Sequence, residues 1–160
     1  MKTLTWLGLA LLACAPATGL AKDSGTTDGN IAALLDRLDY TYEVDADGDY
    51  QMVFDMDDGR SQLVYVRSST ENYGSLDVRE IWSPGFRIKT GDFPVAVANR
   101  LLIDSNNAKI GSWVRQGEMA MYVVKIDSNA SAEQLSDAID AAIKTADKLE
   151  QELTLGADEF

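Results

Sequence analysis

The sequence predicts an α+β domain in which helices pack on one face of a five-stranded antiparallel sheet. Apolar residues recur with helical spacing in three separate segments, which is typical of amphipathic helices. The stretches between them alternate apolar and polar residues and contain hairpin turn signals such as Asp58-Gly59. The resulting order, α-β-β-β-α-β-β-α, favours an antiparallel sheet with its helices segregated to one face.

The first 21 residues have the pattern of a secretory signal peptide. Lys2 supplies its positive charge, an apolar stretch follows over residues 4–13, and Gly19-Leu20-Ala21 provides a cleavage site of small residues. We therefore expect a bacterial protein that is exported to the periplasm or secreted. An alternative interpretation is a lipobox that ends at Cys14, whose lipidation would make the protein an envelope lipoprotein.

The rest of the chain divides into a leader, one domain and a tail. The predicted bounds are a polar, flexible leader over 22–30, the domain over 31–154 and a solvated acidic tail over 155–160. The apolar repeat that begins at Ile31 indicates the first helix, and Pro94 suits the first turn of the second. Ser131 and Gln134 form a capping box at the start of the third helix. The five strands are predicted over residues 50–57, 62–67, 76–82, 110–115 and 119–126, with a loop over 68–75.

The composition restricts the function. The chain carries 26 Asp and Glu against 14 Lys and Arg, a net charge of −12, so binding to nucleic acid or to an anionic membrane is not expected. It has no histidine, and its one cysteine lies in the predicted signal peptide. Nucleophilic catalysis and zinc binding therefore lack their usual residues, and we predict a non-enzyme without a cofactor or a metal. A hydrolase that uses paired carboxylates is the enzymatic alternative.

Asp45, Asp47 and Asp49 alternate in the way that a calcium-binding loop begins. Such a loop needs glycine at its sixth position and glutamate at its twelfth, and these positions are Tyr50 and Met56 here. We therefore interpret the segment as an acidic turn before a strand.

Arg79, Glu80, Trp82 and Arg87 are the candidate binding residues. An exposed tryptophan flanked by arginines is typical of protein-binding hot spots. The alternative is that Trp82 belongs to the core while Arg79 and Glu80 form a solvated pair, because alternation does not show which face of a strand is buried.

Most of the chain after the signal peptide resembles the YbjN family. The matching segments are 44–50, 53–64, 79–84 and 99–102, with the sequences VDADGDY, VFDMDDGRSQLV, REIWSP and NRLL. The resemblance implies a fold like that of the type III secretion chaperones, with the same order of elements. The family is described as a sensory transduction regulator without an established reaction. The resemblance implies a cytoplasmic location, as for many members of the family, and the predicted signal peptide departs from that pattern.

These observations together predict a binding protein. We expect a chaperone-like or regulatory adaptor that binds a basic or extended segment of another protein in the bacterial envelope. A homodimer is compatible with this role. The alternative is a small-molecule sensor or carrier domain, which would need an apolar pocket between the sheet and the helices.

Overall fold

A computed structural model describes residues 29–160 of the chain. The predicted signal peptide, the alternative lipidation site at Cys14 and residues 22–28 of the predicted leader lie outside the described residues. The first helix begins at Gly29, so the last two residues of the predicted leader belong to that helix.

Within residues 29–160, three α-helices and six strands follow one another, in the predicted order with one short strand added after the first helix. The bounds are α1 Gly29–Arg37, β1 Glu43–Val44, β2 Tyr50–Asp55, β3 Ser61–Tyr73, β4 Leu76–Arg87, α2 Val95–Asn107, β5 Ser112–Gln116, β6 Met119–Asp127 and α3 Ala132–Leu153. Every pair of neighbouring strands is antiparallel, in the spatial order β1-β2-β3-β4-β6-β5. The antiparallel sheet is confirmed, and the predicted count of five strands is wrong.

The additional strand is the two-residue β1, which the acidic turn creates. The carboxylate of Asp45 accepts the backbone N–H groups of Asp47 and Asp49 at 2.9 and 3.0 Å, so the chain reverses there. Glu43 then lies opposite Gln51 in the sheet. Two residues are too few to produce an alternating pattern, which is why the sequence does not reveal this strand. The interpretation of the segment as a turn is confirmed.

The hairpin of β3 and β4 is longer than predicted, because most of the expected loop over 68–75 is strand. A register shift between Val66 and Thr70 interrupts the alternation that a sequence pattern can detect. The buried guanidinium of Arg79 donates to the backbone carbonyls of Arg67 and Ser68 within this irregular stretch. These bonds stabilise a backbone that regular pairing leaves incomplete.

The helices cover one face of the sheet, which we call the inner face. Tyr50, Val66, Ile81 and Val124 lie opposite one another across four strands and are at most 1% exposed. Cross-strand partners share a face, so these residues mark the inner one. The seam of α3 packs against it, through Leu135, Ile139, Ala142, Ala146 and Leu149.

The predicted capping box is also confirmed, since Ser131 and Gln134 exchange side chain to backbone hydrogen bonds. None of the helices within residues 29–160 is long and apolar enough to cross a membrane.

Candidate functional site

The opposite face of the sheet, which we call the outer face, carries a second set of large side chains. Gln51, Tyr65, Trp82 and Val123 lie opposite one another across the same four strands. They are displaced by one residue from the inner-face row, so they point to the other side. Tyr65 and Trp82 are only half-buried. Aromatic surface therefore remains accessible on the outer face.

A groove of about 450 Å³ lies on the outer face and is the candidate site. Its floor is formed by apolar and aromatic side chains of the central strands: Leu63, Tyr65, Trp82, Pro84, Met119 and Met121. Asp45, Asp47 and Asp49 line one end, which we call the acidic end. Arg87 and Phe160 also line the groove, and we call their part of it the Arg87 end.

Polar contacts fix the indole of Trp82 in the groove. Its Nε1 donates to Glu80 Oε2 at 2.8 Å, and the other oxygen of Glu80 pairs with Lys125 Nζ at 2.6 Å. The guanidinium of Arg67 lies over the indole ring, 5.7 Å from its centroid. A ring that is held in this way loses little side-chain entropy when a ligand packs on it.

At the acidic end, Asp49 is paired with Arg67, and the turn supplies further carboxylates from Asp45 and Asp47. Asp49 is buried, accepts the backbone N–H of Ser68 at 2.8 Å and pairs with Arg67 Nε at 2.6 Å. Burial raises the pKa of the Tyr65 phenol, and the negative charge of Asp45 raises it further. The negative charge of the turn therefore acts electrostatically on Tyr65, which forms part of the floor of the groove.

The Arg87 end is formed in part by residues 155–160, which the sequence predicts to be a solvated tail. Phe160 is only 8% exposed, and the guanidinium of Arg87 lies 5.6 Å from the centroid of its ring. Arg87 Nε also pairs with Glu159 Oε1 at 2.7 Å. Phe160 thus packs against the domain and is not solvated as expected, whereas residues 155–159 are exposed. The hydrogen bonds that hold residues 155–160 join positions nearly a hundred residues apart in the sequence, so no local pattern predicts them.

The sequence matches no model of a known protein family, and no curated protein is significantly similar to it. The resemblance to the YbjN family therefore stays a prediction.

The candidate binding residues from the sequence separate onto the two faces of β4. Trp82 and Arg87 line the groove, and Glu80 borders it through its bond to Trp82. Arg79 lies on the inner face, where its guanidinium holds two backbone carbonyls. The alternative of a solvated pair between Arg79 and Glu80 is not what the structure contains, because Glu80 pairs with Lys125.

Sequence reasoning missed most of the groove residues, among them Tyr65, Arg67 and Phe160. One signal could have found the first of them. The stretch Leu63-Val64-Tyr65-Val66 is apolar on both faces of its strand, which indicates that the second face also has apolar contacts to make. Phe160 gives no such signal.

The groove offers apolar surface on its floor and charged groups at both ends, so it can bind a ligand that carries both kinds of group. Its floor is apolar and aromatic, and the carboxylate of Asp49 and the guanidinium of Arg67 are paired with each other. Within residues 29–160, no three carboxylates converge as the ligands of a metal ion would. The small-molecule alternative expects an apolar pocket between the sheet and the helices. Core side chains fill the centre of that space. A cavity of about 420 Å³ lies at its border, between α2, β6 and α3.

Proposed function

We propose that this chain is an exported, non-catalytic domain that binds an extended, basic segment of another protein of the bacterial envelope. The observation that carries the proposal is the groove on the outer face, with the fixed indole of Trp82 and the ring of Tyr65 on its floor and aspartates at one end. Aromatic side chains in partly desolvated pockets contribute most of the energy in many protein interfaces. The proposed role is that of a chaperone-like or regulatory adaptor.

Charge supports a basic partner. The full chain has a net charge of −12, and the acidic end places aspartates beside the apolar floor. Complementary charge accelerates encounter and disfavours acidic competitors. Lysines or arginines of a partner segment would lie at the acidic end, while apolar residues of the same segment pack on Tyr65 and Trp82.

The order of elements supports the finer assignment to a fold like that of the type III secretion chaperones. The observed order is the expected α-β-β-β-α-β-β-α with the short β1 added after α1. We propose this architecture together with the adaptor role, because an antiparallel sheet whose helices cover one face can bind a partner on its other face.

Trp82 is expected to contribute a large part of the binding energy for such segments. Peptides selected from a displayed library of random 12-residue sequences on the purified protein should be rich in Lys and Arg and contain apolar residues. Replacing Trp82 with alanine should weaken their binding by about 30-fold or more, which corresponds to roughly 2 kcal/mol for the loss of a hot-spot aromatic. Fluorescence polarisation of a labelled, selected peptide measures the change, and binding should weaken as salt rises.

Tyr73→Ala is the matched control, because Tyr73 is 81% exposed at the tip of the β3–β4 hairpin and does not line the groove. This variant should bind the selected peptides as the unchanged protein does. Selected peptides that bind the Trp82→Ala variant with unchanged affinity, or a selection that enriches no basic peptides, would contradict the proposal.

The small-molecule alternative retains one supporting observation. A volume of about 450 Å³ falls within the range of roughly 300–1,000 Å³ that is usual for small-ligand pockets. A thermal-shift screen against metabolites tests this alternative. It is favoured if a compound raises the melting temperature and Trp82→Ala removes that effect while the displayed library yields nothing.

We further propose that the domain forms a homodimer through α2. Val95, Leu102 and Ile103 of this helix are 77%, 67% and 58% exposed, and their spacing places them on one side of it. Light scattering coupled to size-exclusion chromatography should therefore give twice the mass of the chain, and Leu102→Glu should give the monomer. Asn72→Glu, which adds the same charge at an exposed position of β3, should leave the dimer intact. A monomeric unchanged protein would refute this arrangement.

A further inference from the structure

Residues 155–160, which we call the strap, turn back from the end of α3 onto β3. Arg60 Nη1 donates to the carbonyl of Ala157 at 3.0 Å. The carboxylate of Asp158 accepts the backbone N–H of Ser61 at 3.2 Å. The backbone N–H of Glu159 donates to Glu150 Oε1 at 2.6 Å. These bonds guide the strap to the Arg87 end of the groove.

The apolar residues at the two ends of the strap have opposite environments. Leu155 is 96% exposed, while Phe160 is 8% exposed in the groove. Ordering the strap costs about 1–2 kcal/mol of backbone entropy for each residue. The buried ring and its polar contacts offset this cost, so the Arg87 end is a place where an aromatic side chain is stabilised.

The contacts of Glu159 and Phe160 define the chemistry of that end. The guanidinium of Arg87 lies over the ring of Phe160 and forms an ion pair with the carboxylate of Glu159. An arginine that contacts an aromatic face and a neighbouring carboxylate at once recognises both groups. The acidic end, with its aspartates, has the opposite preference.

We propose that the strap is an internal ligand of the groove, and that the Arg87 end is a subsite for an aromatic residue preceded by an acidic one. This inference rests on the proposed function of the groove. A partner segment that extends along the whole groove has to displace Phe160. The strap therefore lowers the apparent affinity of such segments, because only molecules with the subsite vacant can bind them.

The test uses the complete chain with Glu159 and Phe160 both replaced by alanine, which we call the open variant. The probe is a fluorescein-labelled peptide of the strap sequence, LGADEF, and the readout is fluorescence polarisation. The open variant should bind the peptide at least about tenfold more tightly than the unchanged protein, whose subsite is occupied for most of the time. The peptide LGADEA should bind neither protein, and Arg87→Gln added to the open variant should abolish binding of LGADEF.

Leu155→Ala is the matched control within the strap, because Leu155 is nearly fully exposed and makes no contact with the groove. It should bind the peptide as weakly as the unchanged protein does. Equal binding by the unchanged protein and the open variant overturns the strap as a competitor. Failure of LGADEF to bind a folded open variant overturns the subsite.

A measurement on the unchanged protein keeps the inference testable if the open variant does not fold. The amide of Glu159, which is bonded to Glu150, should exchange its hydrogen through local opening and faster than the amides of the β3–β4 pairing. Exchange of this amide only through global unfolding overturns the inference, since the strap would then never vacate the groove. The proposed function is judged separately, by the basic peptides that depend on Trp82.

Discussion

Replacing Arg60 with methionine is expected to lower the free energy of unfolding by about 3–5 kcal/mol at pH 7, the usual cost of removing one partner of a buried ion pair. Arg60 is buried, and it pairs with Asp147 at 2.7 Å and with Glu150 at 2.8 Å. The carboxylate of Glu150 is fully buried. Without Arg60, an ionised Glu150 would lie in a low-dielectric site without that cation. Urea denaturation followed by circular dichroism measures the loss.

The loss should be smaller near pH 4 than at pH 7. Burial raises the pKa of the Glu150 carboxyl, while the charge of Arg60 opposes the rise, so the pKa should rise further in the variant. A carboxyl whose pKa is higher in the folded state than in the unfolded state favours folding fully below the unfolded pKa. That contribution is lost as the pH rises through the folded pKa. Protonation of Glu150 in acid therefore relieves the uncompensated charge.

Two comparisons separate this effect from a general loss of charge. Lys144→Met removes an exposed cation that pairs with Asp140 one helical turn away, and should leave the free energy of unfolding almost unchanged, because water screens exposed ion pairs. Adding Glu150→Gln to Arg60→Met should recover part of the stability, because it removes the unpaired charge. An Arg60→Met variant as stable as Lys144→Met would contradict the assignment of Arg60 as the centre of a buried ion cluster.

Replacing Gly111 with alanine is expected to lower the free energy of unfolding by about 2–4 kcal/mol, from steric overlap and backbone strain together. The new Cβ would lie 2.8 Å from the backbone carbonyl oxygen of Val123 and 2.8 Å from the ring of Tyr122. The carbonyl belongs to β6, where Val123 lies opposite both Ser112 and Trp82, so it cannot shift without disturbing the sheet. Thermal and urea unfolding measure the change.

Gly117→Ala is the control for backbone strain alone. Gly117 has φ of +60° and Gly111 has φ of +82°, but a Cβ at Gly117 would meet no atom within 4 Å. Its substitution should cost about 1 kcal/mol, which is the penalty of the left-handed conformation without a clash. Equal losses in the two variants would show that the close approach of β6 to Gly111 does not limit the side chain there.

The elements that could be predicted from the sequence are those whose pattern is local. The α3 helix combines the Ser131 cap with a continuous apolar seam, and the structure contains both. The Asp58-Gly59 turn was predicted in the same way, and both residues have positive φ. In contrast, β1 has two residues, and the pairing of β3 with β4 resumes only after a register shift. Such features depend on a partner strand and not on a repeat.

The candidate site was predicted only in part, for a related reason. Alternation along β4 places Arg79 and Trp82 on opposite faces but does not say which face the helices cover. Packing of α3 settles this, with Arg79 on the inner face and Trp82 in the groove.

The sequence by itself determined the α+β class, the order of the principal helices and strands, the capping of the last helix and the acidic character of the chain. Only the tertiary structure decided which face of the sheet stays open, that Arg60 brings the strap back to β3, and that Phe160 enters the groove. The physical reason is the range of the interactions. Helix and turn preferences act within a few residues, while burial and ion pairing select partners from anywhere in the chain.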